Sequence, residues 1–317
     1  MSWYLYLLTF RLKSPLHIGF HKVMHLFRTR AYVPAKPFWG ALTAKLTRKL
    51  KSSNYREVGE FLRKAMRFGY FYFYDKNKNI IYLPKYTDKG LRFGNLKERE
   101  QPKSKELSQI EFEKRFISSL ASTSIEPYSF TAEEGMLHEV EFISPYETHK
   151  ENEEPKPVFL KGLLWVSERS EEKLKVQINE DNFSITDGKN DVKFSDLANT
   201  LQIGGERKYG FGQLKLEELI EVNDQDLDNL GFKGRWKEDK DEIRLELKRN
   251  EFIWSHVKYD SDLKIKGSIE PIVGRDWSDR GAGRELRSHG LCWVPGSILM
   301  EDKTFKIMEE FGIWEVV

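Results

Sequence analysis

Cysteine is nearly missing from this sequence. Cys292 is the only one in 317 residues, which excludes an intrachain disulfide and any cysteine-rich zinc site. Long apolar runs are missing too. The longest near the N-terminus, Trp3 to Leu8, falls far short of the ~20 residues of a membrane helix. It has neither a basic lead nor a small-residue cleavage site, so it does not read as a secretion signal. We therefore expect a soluble, cytoplasmic protein with no membrane partner. There is no Gly-Lys-Ser or Gly-Lys-Thr, hence no nucleotide-triphosphate P-loop. Acids are scarce at the start: residues 1–97 hold 20 Lys+Arg against four acids, Glu57, Glu60, Asp75 and Asp88. Later residues hold 32 bases against 46 acids, so a net charge of +2 hides an early +16 and a late −14. Such a split points to a polyanion partner for the first part and a basic protein neighbour for the second. The alternative is that the two halves pair their charges on folding.

What is present supports a packed core, since 39% of residues are hydrophobic and 13% aromatic. In Trp3 to Leu12, positions Tyr4, Tyr6, Leu8, Phe10 and Leu12 form one apolar strand face, ended by Ser14-Pro15. A basic, acid-free segment follows, Phe20 to Lys36, with Arg28, Arg30 and Lys36 beside aromatic rings. Phe38, Leu42, Leu46 and Leu50 recur every fourth residue and predict a helix; Val58, Phe61, Leu62, Ala65 and Met66 predict a second. Phe68 to Tyr74 and Ile80 to Leu83 read as a hairpin around Asn77-Lys78-Asn79. Residues 85–125 are polar and aperiodic, the pattern of a long mobile insertion. Strands are expected at Met136 to Ile143 and Val158 to Val166, joined by an acidic linker from Glu147 to Pro157. A small hairpin follows (Phe183 to Thr186, Val192 to Phe194), then a helix capped by Ser195 and running through Gln202. The order strand, helices, strand, strand, helix, strand is an α+β, ferredoxin-like (RRM-like) βαββαβ domain over residues 1–220. Acidic clusters in 222–242 mark a linker or surface excursion. The part 221–317 carries expected strands at Ile243 to Leu247, Leu263 to Ile272 and Leu291 to Val294, and a closing helix, Thr304 to Phe311.

The stretch around which the chain is organised is Gly204-Gly205-Glu206-Arg207-Lys208-Tyr209-Gly210-Phe211-Gly212. Glycines leave little bulk and permit positive φ, so another polymer's backbone can approach closely. Backbone N–H groups in such a turn form an anion-binding concavity, and Arg207 and Lys208 add charge for phosphates. Tyr209 and Phe211 offer faces for unpaired bases. No helix-forming segment follows, which excludes the Rossmann arrangement. A tight hairpin with solvated charges is the alternative reading of the loop alone. A second glycine segment, Gly274 to Arg284, carries three arginines and Trp277, but Asp276 and Asp279 are placed to pair such cations internally.

Three motifs in order carry a resemblance: Ser14-Pro15-Leu16-His17-Ile18-Gly19 at a strand end, Tyr32-Val33-Pro34-Ala35-Lys36-Pro37-Phe38-Trp39-Gly40-Ala41-Leu42 at a helix start, and the 204–212 glycine loop. Together they resemble the RAMP superfamily, the ferredoxin-like RNA-binding subunits of CRISPR effector complexes, over about residues 1–220. The departure is Ala35-Lys36-Pro37, where the family often has Gly-Ser-Ser. Trp293-Val294-Pro295-Gly296-Ser297 is similar to that helix-start motif, implying a degenerate second ferredoxin-like unit in 221–317.

The resemblance implies a guide-RNA-binding subunit of a type III effector complex. Its RNA contacts would be Gly204, Gly205, Arg207, Lys208, Tyr209, Gly210, Phe211 and Gly212, joined by Arg28, Arg30 and Lys36. Other complex subunits would dock on the insertion and the acidic C-terminal part. Cleaving members of the family use an aspartate between the first strand and first helix. Gly19 to Lys36 has none, so a non-cleaving cap or scaffold subunit is expected, with no cofactor and no metal. The alternative within the family is a metal-independent repeat-RNA endoribonuclease using a histidine, for which His17, His21 and His25 are the candidates. A reading from another class is a protein-only interaction module of ferredoxin-like fold.

Overall fold

A computed structural model describes residues 2–94, 106–148, 154–179, 182–278, 280–309 and 311–317. The first strand, β1 (Trp3–Leu12), leads to β2 (Gly19–Val23), β3 (Leu26–Thr29), α1 (Ala35–Lys49), α2 (Tyr55–Ala65), β4 (Met66–Asp75) and β5 (Ile80–Ile81). The region expected as an insertion folds into β6 (Pro84–Thr87), β7 (Gly90–Phe93), β8 (Leu107–Ser108), α3 (Gln109–Phe116) and β9 (Ile117–Ser122). Then come β10 (His138–Ile143), β11 (Phe159–Ser167), β12 (Lys175–Asn179), β13 (Asn182–Thr186), β14 (Asp191–Lys193), α4 (Phe194–Ala198), β15 (Thr200–Gln202) and β16 (Gln213–Glu221). The remainder is α5 (Asp224–Leu230), β17 (Arg235–Asp239), β18 (Glu242–Leu247), β19 (Val257–Lys258), β20 (Ile265–Lys266), β21 (Ile269–Ser278), β22 (Gly281–Trp293), β23 (Ile298–Leu299), β24 (Lys303–Ile307) and β25 (Trp314–Val316). Among the described residues no helix is long and apolar enough to cross a membrane.

The central sheet has the order β15-β16-β1-β11-β4-β5, with every neighbouring pair antiparallel. Strand β1 does not carry a single apolar face: Trp3, Leu5 and Leu7 are buried along with Tyr6, Leu8, Phe10 and Leu12. Each face has its own cover. On one, Phe10 and Phe71 pack on Phe38 of α1, with the Phe38 and Phe71 rings stacked at 3.9 Å. On the other, Trp165 stacks on Trp254 and Tyr72 meets Phe232, both partners coming from the C-terminal part. Burial on both sides explains the near-continuous apolar run of β4, all of whose residues are buried.

The second large sheet runs β17-β18-β24-β25-β19-β22-β21. The expected closing helix Thr304 to Phe311 is instead β24, which alternates inward and outward residues. Beyond α5 no helix occurs among the described residues up to Val317, so this part lacks the two helices of a second ferredoxin-like unit. Its helix-start lookalike opens a turn. Gly296 sits at φ +95°, where a Cβ would lie 2.8 Å from the Pro84 carbonyl, and Ser297 Oγ donates to the Val294 carbonyl at 2.7 Å.

Other expectations are corrected by local chemistry. The insertion is packed where it is described: Ser108 and Glu111 form a capping box for α3, and Phe112 stacks on Phe93 at 4.0 Å. Residues 95–105 of the insertion and 149–153 of the acidic linker lie outside the described residues. Residues 222–242 are no linker but hold α5, capped by Asn223 and anchored by buried Leu227 and Leu230. Helix α4 ends at Ala198, and Thr200–Gln202 is an edge strand. Ser195 does not cap it; its Oγ accepts a 2.7 Å hydrogen bond from Asn182.

Candidate nucleic-acid interface

A cleft of about 1490 Å³ lies between the α1–α2 pair and the β21–β22 hairpin, with the 204–212 loop and the β1–β2 connection at its end. Helix α1 begins at Ala35, after extended Pro34, where the fixed φ of proline suits a helix start. Trp39, Tyr55 and Trp277 give the cleft aromatic walls, and the Tyr55 and Trp277 rings stack at 6.3 Å. Arg56, Arg63, Arg275 and Arg287 line it together with Glu60, Asp276 and Glu285; Arg56 pairs with Glu60 at 3.1 Å and Arg63 with Glu309 at 3.8 Å.

In the glycine loop the close backbone is the chain's own. Gly205 N–H donates to the His17 carbonyl at 2.8 Å, and Gly212 N–H to the Pro15 carbonyl at 2.7 Å. A Cβ on Gly204 would stand 2.4 Å from the His17 oxygen, and one on Gly212 only 1.8 Å from the Ile203 oxygen, both at positive φ. These glycines therefore seat the loop on the Ser14–Gly19 segment instead of admitting a foreign backbone. What the loop presents outward is the single 3-10 turn Arg207–Tyr209. Arg207 and Lys208 are exposed, and Tyr209 is 81% exposed. Among the described residues neither cation has a carboxylate partner. Phe211 is not a stacking face: it is buried and meets Phe142 edge-on at 5.6 Å. Phe61 is buried and Phe142 packs on Phe211, whereas Met136 is 45% exposed.

The basic arm is acid-free in sequence but not in space. It folds largely as the β2–β3 hairpin, and its cations meet acids from far along the chain. Arg28 reaches Glu141 at 3.2 Å, Arg30 reaches Glu270 at 2.6 Å, and Lys36 reaches Asp276 at 3.3 Å. Lys36 also lies over the Trp39 ring at 4.1 Å. Asp276 holds Arg287 as well, at 3.3 Å; Asp279 lies outside the described residues. The three histidines do not converge. His17 is buried, and its Nδ1 donates to the Glu141 carbonyl at 2.7 Å, while His21 and His25 are exposed on the β2–β3 hairpin.

At the floor of the cleft sits a buried network that the sequence did not reveal. His256 Nε2 meets Glu270 at 2.6 Å and its Nδ1 meets Tyr70 at 2.7 Å. Arg30 joins Glu270 and also donates to Tyr32 at 2.9 Å. Burial pushes the His256 pKa below its ordinary 6.5, against the pull of Glu270. The ring is therefore neutral, accepting from the Tyr70 hydroxyl and donating to the carboxylate. No periodicity marks these residues; only the fold brings them together.

The RAMP superfamily model matches residues 9–215, which span β1, both helices of the cleft and the glycine loop. The chain belongs to the RAMP superfamily. No curated protein matches it. Among solved structures, this RAMP chain is similar to one in a cryo-EM structure of the Type III-B Cmr-beta bound to cognate target RNA and AMPPnP, state 1. The TM-score is 0.52 at 13% identity, covering 93% of this chain and 85% of the other. A chain of Cmr-beta bound to cognate target RNA alone gives 0.48 at 12% identity, covering 92% and 86%. The first of these likenesses supports a shared sheet-rich α+β fold.

Proposed function

We propose that this RAMP protein is a non-catalytic subunit of a type III CRISPR effector complex that binds guide RNA in the cleft. The observation that carries this is the outward triplet Arg207-Lys208-Tyr209 at the mouth of a cleft walled by aromatic rings and arginines. Unpaired cations meet phosphates while exposed rings stack on bases, the combination that single-stranded nucleic acid requires. Gly204, Gly205, Gly210 and Gly212 shape the loop; Arg28, Arg30 and Lys36 support the walls through their acidic partners. The sheet is read as a ferredoxin-like βαββαβ core over residues 1–220, a reading supported by the order β16-β1-β11-β4 with α1, α2 and α4 between strands. Residues 221–317 are read as a β-rich second part. Neighbouring subunits would dock on the β2-β3-β10-β9 sheet and its loops, which expose Met24 at 82%, Tyr128 at 93% and Phe130 at 83%.

Filter binding of single-stranded RNA at two salt concentrations tests the assignment. The double change Arg207→Ala with Lys208→Ala is expected to weaken binding about tenfold and to lower the salt slope by about 1.4, as for two lost phosphate contacts. Its melting temperature should stay near that of the parent protein. Unchanged affinity together with a large melting loss would show that the loop serves only the fold.

A further inference from the structure

A second, smaller groove of about 820 Å³ opens between the C-terminal half of α1 and strands β15 and β16. It shares Ala41, Ala44, Gln202 and Arg207 with the cleft, so the two run together at the glycine loop. Its wall residues include Lys13, Lys45, Arg48, Lys49, Arg207 and Lys215, and no acid is among them. The sequence accounts for one side: Lys45, Arg48 and Lys49 stand at helical spacings of three and four and share a helix face. Lys13 at the end of β1 and Lys215 on β16 come from the opposite side.

We infer that this groove carries the phosphodiester backbone of the same RNA strand as it leaves the cleft across Arg207. The inference rests on the RNA-binding reading above and adds the direction in which the strand leaves. The arm's cations found acids, but these did not: among the described residues only Lys215 has an ion pair, with Glu217 at 3.6 Å and both side chains partly exposed. Folding has instead gathered like charges. Burial, followed by the fields of Lys49 and Arg48, holds the Lys45 ammonium below its ordinary 10.5. Lys45 is tied down by a 2.6 Å bond to the Thr200 carbonyl, which keeps it between its charged neighbours. Such an arrangement is relieved by a polyanion laid along it. Thr200, Gln202 and Gln213 on the strand side offer polar groups for ribose hydroxyls. Arg48 and Lys49 also complement the helix dipole at the end of α1. That role concerns stability alone and does not involve Lys13 or Lys215.

The test uses the full chain and two fluorescent oligouridylates, one of about 6 and one of about 20 nucleotides, read by anisotropy. Two variants strip the two sides separately: Arg48→Gln with Lys49→Gln, and Lys13→Gln with Lys215→Gln. Each is expected to weaken the long RNA about fivefold and to lower its salt slope by about 1.4, while the short RNA, held at the glycine loop, binds as before. If both variants bind the long RNA like the parent while Arg207→Ala with Lys208→Ala weakens it, the groove is overturned and the cleft reading stands. If the loop variant also changes nothing, both readings fall. Displacement of the RNA by poly-glutamate at equal charge would overturn the assignment to RNA. If one variant loses melting temperature along with affinity for both lengths, the other, on a separate wall, decides.

Discussion

His256, Glu270, Tyr70 and Arg30 form one hydrogen-bonded unit. The folded His256 is neutral because burial lowers its pKa, whereas the unfolded ring takes a proton near 6.5. Its contribution to stability is therefore complete above that value and is lost as pH falls below it. Burial raises the Glu270 carboxyl, but the His256 hydrogen bond and the charge of Arg30 outweigh it and hold the group below 4.5. That contribution is complete above 4.5 and is lost at lower pH, so both groups make acid destabilising. We expect the melting temperature to fall as the pH drops below about 6.5. His256→Gln, which can still donate to Glu270 and accept from Tyr70, should flatten that fall. An unchanged profile in the variant would place the acid sensitivity elsewhere.

At the scale of the element, the β2-β3-β10-β9 sheet and its loops leave Met24, Leu120, Tyr128 and Phe130 in water, as the β21–β22 hairpin leaves Val273 and Leu286. Replacing Met24 and Phe130 with serine should lower aggregation of the isolated chain and reduce recovery of neighbouring subunits on copurification; RNA affinity should not change. Retention of all neighbours would remove this sheet as the docking face.

Legibility from sequence follows the range of the forces involved. Helices α1 and α2, the β4–β5 hairpin and β11 were readable because the spacing of Phe38, Leu42 and Leu46, or the run from Phe68 to Tyr74, is a local signature, although Met66 read as helix and opens β4. The Arg207-Lys208-Tyr209 turn was readable for the same reason. The insertion was not, because its order depends on Phe112 meeting Phe93 and Phe73 across the chain. Nor was the fate of Arg28, Arg30 and Lys36, whose partners lie 113, 240 and 240 residues further on. Phe211 read as a base platform because nothing local announces Phe142 as its neighbour.

Taken whole, the molecule uses its charge asymmetry twice: late acids neutralise much of the early basic arm, and what is left over clusters around the glycine loop and the end of α1. The two sheets are not independent bodies. Tyr70, Tyr72 and Trp165 on the central sheet have 0–2% exposure and are covered by His256, Trp254 and Phe232. Cutting the chain at residue 220 would turn that covered face outward. We expect a 1–220 fragment to precipitate on expression, and coexpressed 221–317 to rescue it by reassembly. A freely soluble, monomeric fragment would contradict this.

The covered face has a consequence for descent as well as for handling. The family match ends at residue 215, yet the wall that Trp254 and His256 build against it makes the remainder a structural debt of the core. Losing or exchanging that C-terminal lobe would leave Tyr70, Tyr72 and Trp165 facing water, so such a change would call for polar residues or a new cover at those positions.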